Sequence, residues 1–173
     1  MNTMTEAFSI APVSGKSLAL VAPLLLFIAY AAGKFPVAMV PLGFFGVILI
    51  AIFVFPIYSS RRVRVLTDQK SLRIQGELYG RDIDISSLNL ATAKIVNLDE
   101  SRELRPRWRT NGVGLPGYQT GWFKLKDGEK ALLFVTDPTA VVYIPTGDGY
   151  SLLMSVSDAP RFLASIRKHE QVK

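Results

Sequence analysis

Four arginines fall within eight positions, at Arg102, Arg105, Arg107 and Arg109, with Trp108 among them. A guanidinium is a planar fork of donors that fits carboxylate or phosphate, and an indole suits a boundary between apolar and wet surroundings. This spacing therefore points to anion recognition, or to a solvated loop whose arginines meet Asp99, Glu100 and Glu103 nearby. A second basic group, Arg61, Arg62 and Arg64, directly follows a long apolar run. Such a cluster reads as topogenic, with attraction to anionic lipid of about 1 kcal/mol per charge as a secondary effect.

Other chemistry is sparse. Gly112-Val113-Gly114-Leu115-Pro116-Gly117 matches G-x-G-x-x-G, but a strand pattern at Tyr118–Leu125 follows it where a dinucleotide site needs a helix. The glycines are expected instead to supply positive φ in a bent loop. The chain has no Cys and a single His, His169 near the C-terminus, so thiolate chemistry and a histidine metal cluster are excluded. Asp82 and Asp84 alternate as the wet side of a strand would, and no partner base makes them a reacting pair. No catalytic, cofactor-binding or metal-binding residue is expected. Arginines interleaved with Trp108, Tyr118 and Trp122 resemble a stacking groove for nucleic acid, yet no recognition helix or ribonucleoprotein motif accompanies them. Tyr118, Trp122 and Phe123 are read as wall or core residues, and nucleic acid is not an expected partner.

The elements that must position the arginine cluster follow from the uneven spread of charge. Residues 1–58 carry only Glu6, Lys16 and Lys34, whereas the other 115 residues hold eighteen basic and thirteen acidic side chains. Residues 17–33 and 35–60 are free of charge. As helices they would extend roughly 25 Å and somewhat under 40 Å, against a hydrocarbon core of about 30 Å. This predicts an N-terminal tail (1–16), a transmembrane helical hairpin (17–58) and a cytoplasmic domain (59–173). The arginines after the second span place both termini in the cytoplasm and make the chain a multi-pass membrane protein. The competing reading is a cleaved signal peptide, with residues 18–28 as its apolar region and Ala29-Tyr30-Ala31 as its cleavage site.

Beyond Ser60 the period changes to two. Val63 and Val65 alternate with arginines, a polar turn covers 68–71, and Leu72 and Ile74 alternate again, which predicts a hairpin. Further strands are expected around 82–85, 91–98, 118–125, 130–135, 140–144 and 150–155, with 99–117 as a long loop. About eight short strands suggest an antiparallel barrel or sandwich. A helix closes the chain, with Ser157 as N-cap, Asp158 in the first turn, and an apolar stripe of Phe162, Leu163 and Ile166.

The run Arg107-x-Arg109-x-x-Gly112-x-Gly114-Leu115-Pro116-Gly117-Tyr118-x-x-Gly121-Trp122-Phe123 is followed by Ala131-Leu132-Leu133-Phe134-Val135-Thr136-Asp137, and later by Tyr150-Ser151-Leu152-Leu153-Met154-Ser155 and Asp158-Ala159-Pro160-x-Phe162-Leu163. With these features residues 61–168 resemble a bacterial pleckstrin-homology-like (PH) domain. The resemblance implies a strongly bent seven-stranded barrel capped by a C-terminal helix, in a group whose members often sit behind one or two membrane spans. With the strand pattern, the expected fold is an all-β barrel or sandwich of about seven to eight antiparallel strands behind the two transmembrane α-helices of a bacterial inner-membrane protein. It implies a binding or scaffolding module rather than an enzyme, with no defined ligand. The partner expected here is another protein, a second copy or, as an alternative, anionic lipid. Arg102, Arg105, Arg107, Trp108 and Arg109 form the expected interaction loop, with Arg61, Arg62 and Arg64 at the membrane surface. The other reading is an accessory or regulatory subunit of a membrane enzyme or transporter.

Overall fold

The computed structural model describes residues 6–12, 63–68, 70–76 and 79–171, and singly Pro23, Leu26, Tyr30 and Ile48. Ten strands and one α-helix are bounded within them. The alternating apolar residues of the first hairpin form β2 (Arg64–Thr67) and β3 (Ser71–Gln75), paired so that Arg64 faces Gln75 and Thr67 faces Leu72. Val65, Leu72 and Ile74 point inward and are buried, because a period of two sends every second side chain to one face. β4 (Asp82–Asp84) adds to β3, and β1 (Glu6–Ser9) adds to β2, giving a four-stranded sheet in the order β1-β2-β3-β4.

The second sheet has six strands in the order β5-β9-β10-β8-β7-β6. They are β5 (Lys94–Val96), β6 (Pro106–Leu115), β7 (Tyr118–Leu125), β8 (Lys130–Val135), β9 (Val141–Pro145) and β10 (Ser151–Met154). β10 turns back from β9 and inserts beside β8, to which it runs parallel, so the sheet is not wholly antiparallel. Both faces of its centre are apolar. One face, with Leu132, Phe134, Val142, Ile144, Leu152 and Met154, packs over the four-stranded sheet. The other, with Leu133, Val135, Val141 and Leu153, is covered by Leu98 and Leu104 of the preceding segment.

α1 (Ala159–Gln171) closes the first core with Phe162, Leu163 and Ile166. The Asp158 carboxylate accepts the Arg161 N–H at 3.1 Å and so caps the helix. Ser157 spends its hydroxyl on the Ser9 carbonyl instead, at 3.1 Å. At the other side of the helix, Arg167 donates to the carbonyls of Leu90 and Ala93 at 3.4 and 2.7 Å.

Three expectations need correction. The sheets do not close into a barrel: they are two layers, and β6 is left as a free edge. Residues 99–117 are not one long loop, since 106–115 form β6, the longest strand. The third concerns the two membrane-spanning helices and, with them, the multi-pass inner-membrane placement. Among the described residues no helix is long and apolar enough to cross a membrane. Absence of charge over 17–33 and 35–60 is necessary for a span but does not suffice, and those runs lie outside the described residues except for Pro23, Leu26, Tyr30 and Ile48, which are helical and exposed. Arg61 and Arg62 also lie outside them, while Arg64 is exposed on β2.

Candidate functional site: the basic edge of the six-stranded sheet

β6 pairs with β7 through a two-residue turn, Pro116-Gly117, in which Gly117 has φ 74°. Proline presets the first turn position and glycine accepts positive φ at the second. Farther along, Gly112 and Gly121 face each other across the pair. Gly121 has φ 101°, and a Cβ there would sit 2.5 Å from the Asn111 carbonyl oxygen. Three of the motif's glycines thus build this hairpin, Gly112 and Gly114 as strand residues and Gly117 in the turn.

The register shifts twice, between Pro106 and Trp108 and again between Arg109 and Asn111. Each bulge adds a residue to β6, re-aiming its side chains. Arg109 lies opposite Phe123, whose side chain belongs to the second core, whereas Trp108 lies opposite Lys124 and so on the other face. On the Arg109 side an open groove of about 490 Å³ is lined by Arg107, Arg109, Gly114, Gln119 and Phe123 among others. A second hollow of about 310 Å³ adjoins it, sharing Pro106, Gly117 and Gln119.

The sequence-derived cluster divides here. Arg105 is structural: its guanidinium donates to the Leu98 carbonyl at 2.6 Å and to the Asp99 carbonyl, tying down the segment over the second core. Arg102 sits on an exposed helical turn, Arg102–Leu104, away from the groove lining. Arg107 and Arg109 line the groove, and among the described residues neither forms an ion pair. Trp108 is 62% exposed, with the Arg107 guanidinium 5.6 Å from its ring centroid. From Arg105 to Lys126 there are five basic residues and no acidic one. Among the described residues the cluster's arginines form no ion pair with Asp99, Glu100 or Glu103.

The remaining candidates have structural partners. Asp82 pairs with Arg73 at 2.8 Å, and the Asp84 carboxylate accepts the Ser86 N–H and hydroxyl, both at 2.8 Å. Tyr118 and Phe123 are buried. Trp122 is half-buried, edge-on to Tyr150 at 5.1 Å, with Lys130 and Arg81 over its ring at 4.3 and 5.0 Å. His169 lies in α1.

Sequence reasoning passed over a polar cluster beneath the second core. The Ser151 hydroxyl and the Tyr143 phenol both donate to the Glu129 carboxylate, the phenol at 3.1 Å. Burial foremost, and the negative charge of Glu129 beside it, hold the Tyr143 phenol above its ordinary pKa. These residues lie on β8's leading turn, β9 and β10, 14 and 8 positions apart, and only the order of those strands in the sheet brings them together.

The family model described as bacterial PH domain matches residues 63–170. The chain belongs to that family. No curated protein and no solved structure matches it. The match makes the chain a member of a group that generally binds or scaffolds. In this bacterial PH domain the match begins at β2, so β1 is supplied by residues that lie outside it.

Proposed function

We propose that this bacterial PH domain is a protein-binding module whose contact surface is the β6 edge, and that its partner presents an acidic, extended segment. The observation that carries this reading is a ten-residue edge strand, largely exposed, holding two arginines that form no ion pair among the described residues and a tryptophan 62% exposed. Exposed edge strands invite pairing and are ordinarily blunted. The two bulges blunt the first half of β6, but Asn111–Leu115 pairs regularly with β7 and leaves its outer main-chain groups open for an added strand. A strand added there brings alternate side chains over the groove, within reach of Arg107 and Arg109. Each charge-assisted pair contributes at the upper end of ordinary hydrogen bonds.

The test is calorimetric titration of the full chain with an eight-residue peptide of alternating Glu and Val. Binding is expected at low salt, weakening as salt rises. Arg107→Ala with Arg109→Ala should weaken it by about 100-fold, tenfold per lost contact. Equal affinity for the parent and the double variant overturns the reading. Loss of sedimentation with anionic vesicles in the double variant, with no peptide binding by either chain, assigns the same surface to lipid.

A further inference from the structure

The face of the six-stranded sheet opposite the groove carries a row of like charge. Trp108, Lys124 and Lys130 lie in register on β6, β7 and β8. At the usual strand spacing the row crosses the sheet over about 10 Å. Trp122, two residues from Lys124 and so on the same face, has the Lys130 ammonium 4.3 Å and the Arg81 guanidinium 5.0 Å from its ring centroid. Trp108, Arg81 and both lysines are exposed. Like charges directly opposite in a sheet destabilise it, so Lys124 facing Lys130 costs the fold something. The nearby acids are engaged elsewhere. Asp82 pairs with Arg73, the Asp127 carboxylate accepts the Glu129 N–H at 2.8 Å, and the Glu129 carboxylate accepts from Tyr143 and Ser151. Among the described residues no carboxylate forms an ion pair with Arg81, Lys124 or Lys130.

The chemistry that suits this face is a set of carboxylates. The Trp122 ring is already engaged by two cations and by Tyr150, which leaves a flat base little to stack on, whereas carboxylates can meet both ammonium groups. The position of the row indicates where they come from. Asn111–Leu115 pairs evenly with β7, while the bulges re-aim the strand over Pro106–Asn111. An added strand can follow the even half, but at the bulges the ladder is interrupted and a continuing chain loses its main-chain partners. Trp108 stands at that point, beside Lys124. Resting on the reading of β6 as the binding edge, we propose that the partner's segment continues past the added strand, passes over Trp108 and sets further acidic side chains on Lys124 and Lys130. The partner is thus read on both faces of the sheet, by Arg107 and Arg109 on one and by the lysine row on the other. Its acidic stretch is longer than the strand it adds.

Two longer peptides test this beside the eight-residue Glu-Val peptide: the same sequence with a tail of four Asp at its N-terminus, or at its C-terminus. In calorimetry with the full chain at low salt, one of them should bind about tenfold tighter than the eight-residue peptide. The end that helps reports the direction of the added strand along β6. Lys124→Gln with Lys130→Gln should abolish this gain and leave the affinity for the eight-residue peptide within about twofold. Arg161→Gln with Lys168→Gln removes the same charge from α1, which packs near β5 and β9 at the other edge of the sheet, and should keep the gain. Equal affinity for all three peptides overturns the proposal, and so does a gain that survives in the lysine variant or falls equally in the α1 variant. If the eight-residue peptide binds and neither tail helps, only this inference fails. If it does not bind but a tailed peptide does, through the lysines, the edge reading fails and the lysine row stands as the acidic site. If no peptide binds, both fall.

Discussion

Strands β10 and β6 belong to one sheet and answer to opposite demands. β10 lies between β9 and β8, and Ser151, Leu152, Leu153 and Met154 have no measurable exposure. A strand buried on both faces reads as a continuous apolar run, and Leu152-Leu153-Met154 does. β6 has one neighbour, ten residues, two bulges and hardly a buried side chain. Apolar area removed from water is what holds a fold together, at about 25 cal/mol per Å². The centre of the sheet thus contributes stability, while β6 contributes little and carries charge and an open indole instead. A segment kept without a stabilising reason, and loaded with groups suited to anions, is where recognition is expected.

That contrast can be broken first at the core. Phe162 is wholly buried against Phe8 and is shared by both sheets' main core. Phe162→Ala should destabilise the protein by about 3–5 kcal/mol, from lost transfer energy and the cavity left behind. Urea unfolding followed by circular dichroism measures it. A loss under about 1 kcal/mol would mean that the helix does not close the core.

The same contrast explains what the sequence disclosed. Val63, Val65, Leu72 and Ile74 alternate, and 118–125 and 130–135 are bounded by Pro-Gly and Asp-Gly turns, so those strands are legible at their true positions. Burial of one face imposes the period that the reading detects. β6 has no such face. Its Pro, its glycines and two bulges disrupt alternation, so it reads as loop although pairing with β7 makes it strand. β1 is four residues of a tail whose partners lie some sixty and 150 positions away, and local pattern cannot show that. The arginine cluster was legible as a region but not in its parts: only the fold shows Arg105 spent on the carbonyls of Leu98 and Asp99, and Arg107 and Arg109 lining the groove. The uncharged runs at 17–33 and 35–60 carry the opposite lesson: lack of charge permits a span but does not dictate one, and no described helix is long and apolar enough to cross a membrane.

A smaller effect sits between the two extremes, at the Tyr143–Glu129–Ser151 cluster on the rim of the second core. Burial, assisted by Glu129, raises the Tyr143 pKa above 10.0 in the folded chain. The unfolded chain therefore releases this proton first as pH rises. The contribution to stability is complete below pH 10 and is lost as pH climbs through the folded value. Tyr143→Phe removes that component. The parent should lose more stability than the variant between about pH 9 and pH 11 in parallel denaturant titrations. Parallel curves would show that the phenol ionises equally in both states.

The smallest effect on stability is expected where the effect on binding should be large. Trp108 is 62% exposed, and the Arg107 guanidinium lies 5.6 Å from its ring centroid. Most of its surface is already in water, so Trp108→Ala should leave unfolding free energy within about 0.5 kcal/mol of the parent. A surface tryptophan at a true interface behaves otherwise toward a partner, since such anchors typically contribute at least about 2 kcal/mol when truncated. The same variant should therefore weaken the acidic peptide by about 30-fold with unfolding unchanged. If instead stability falls by several kcal/mol, β6 is part of the structural core after all, and the contrast between the two strands is lost.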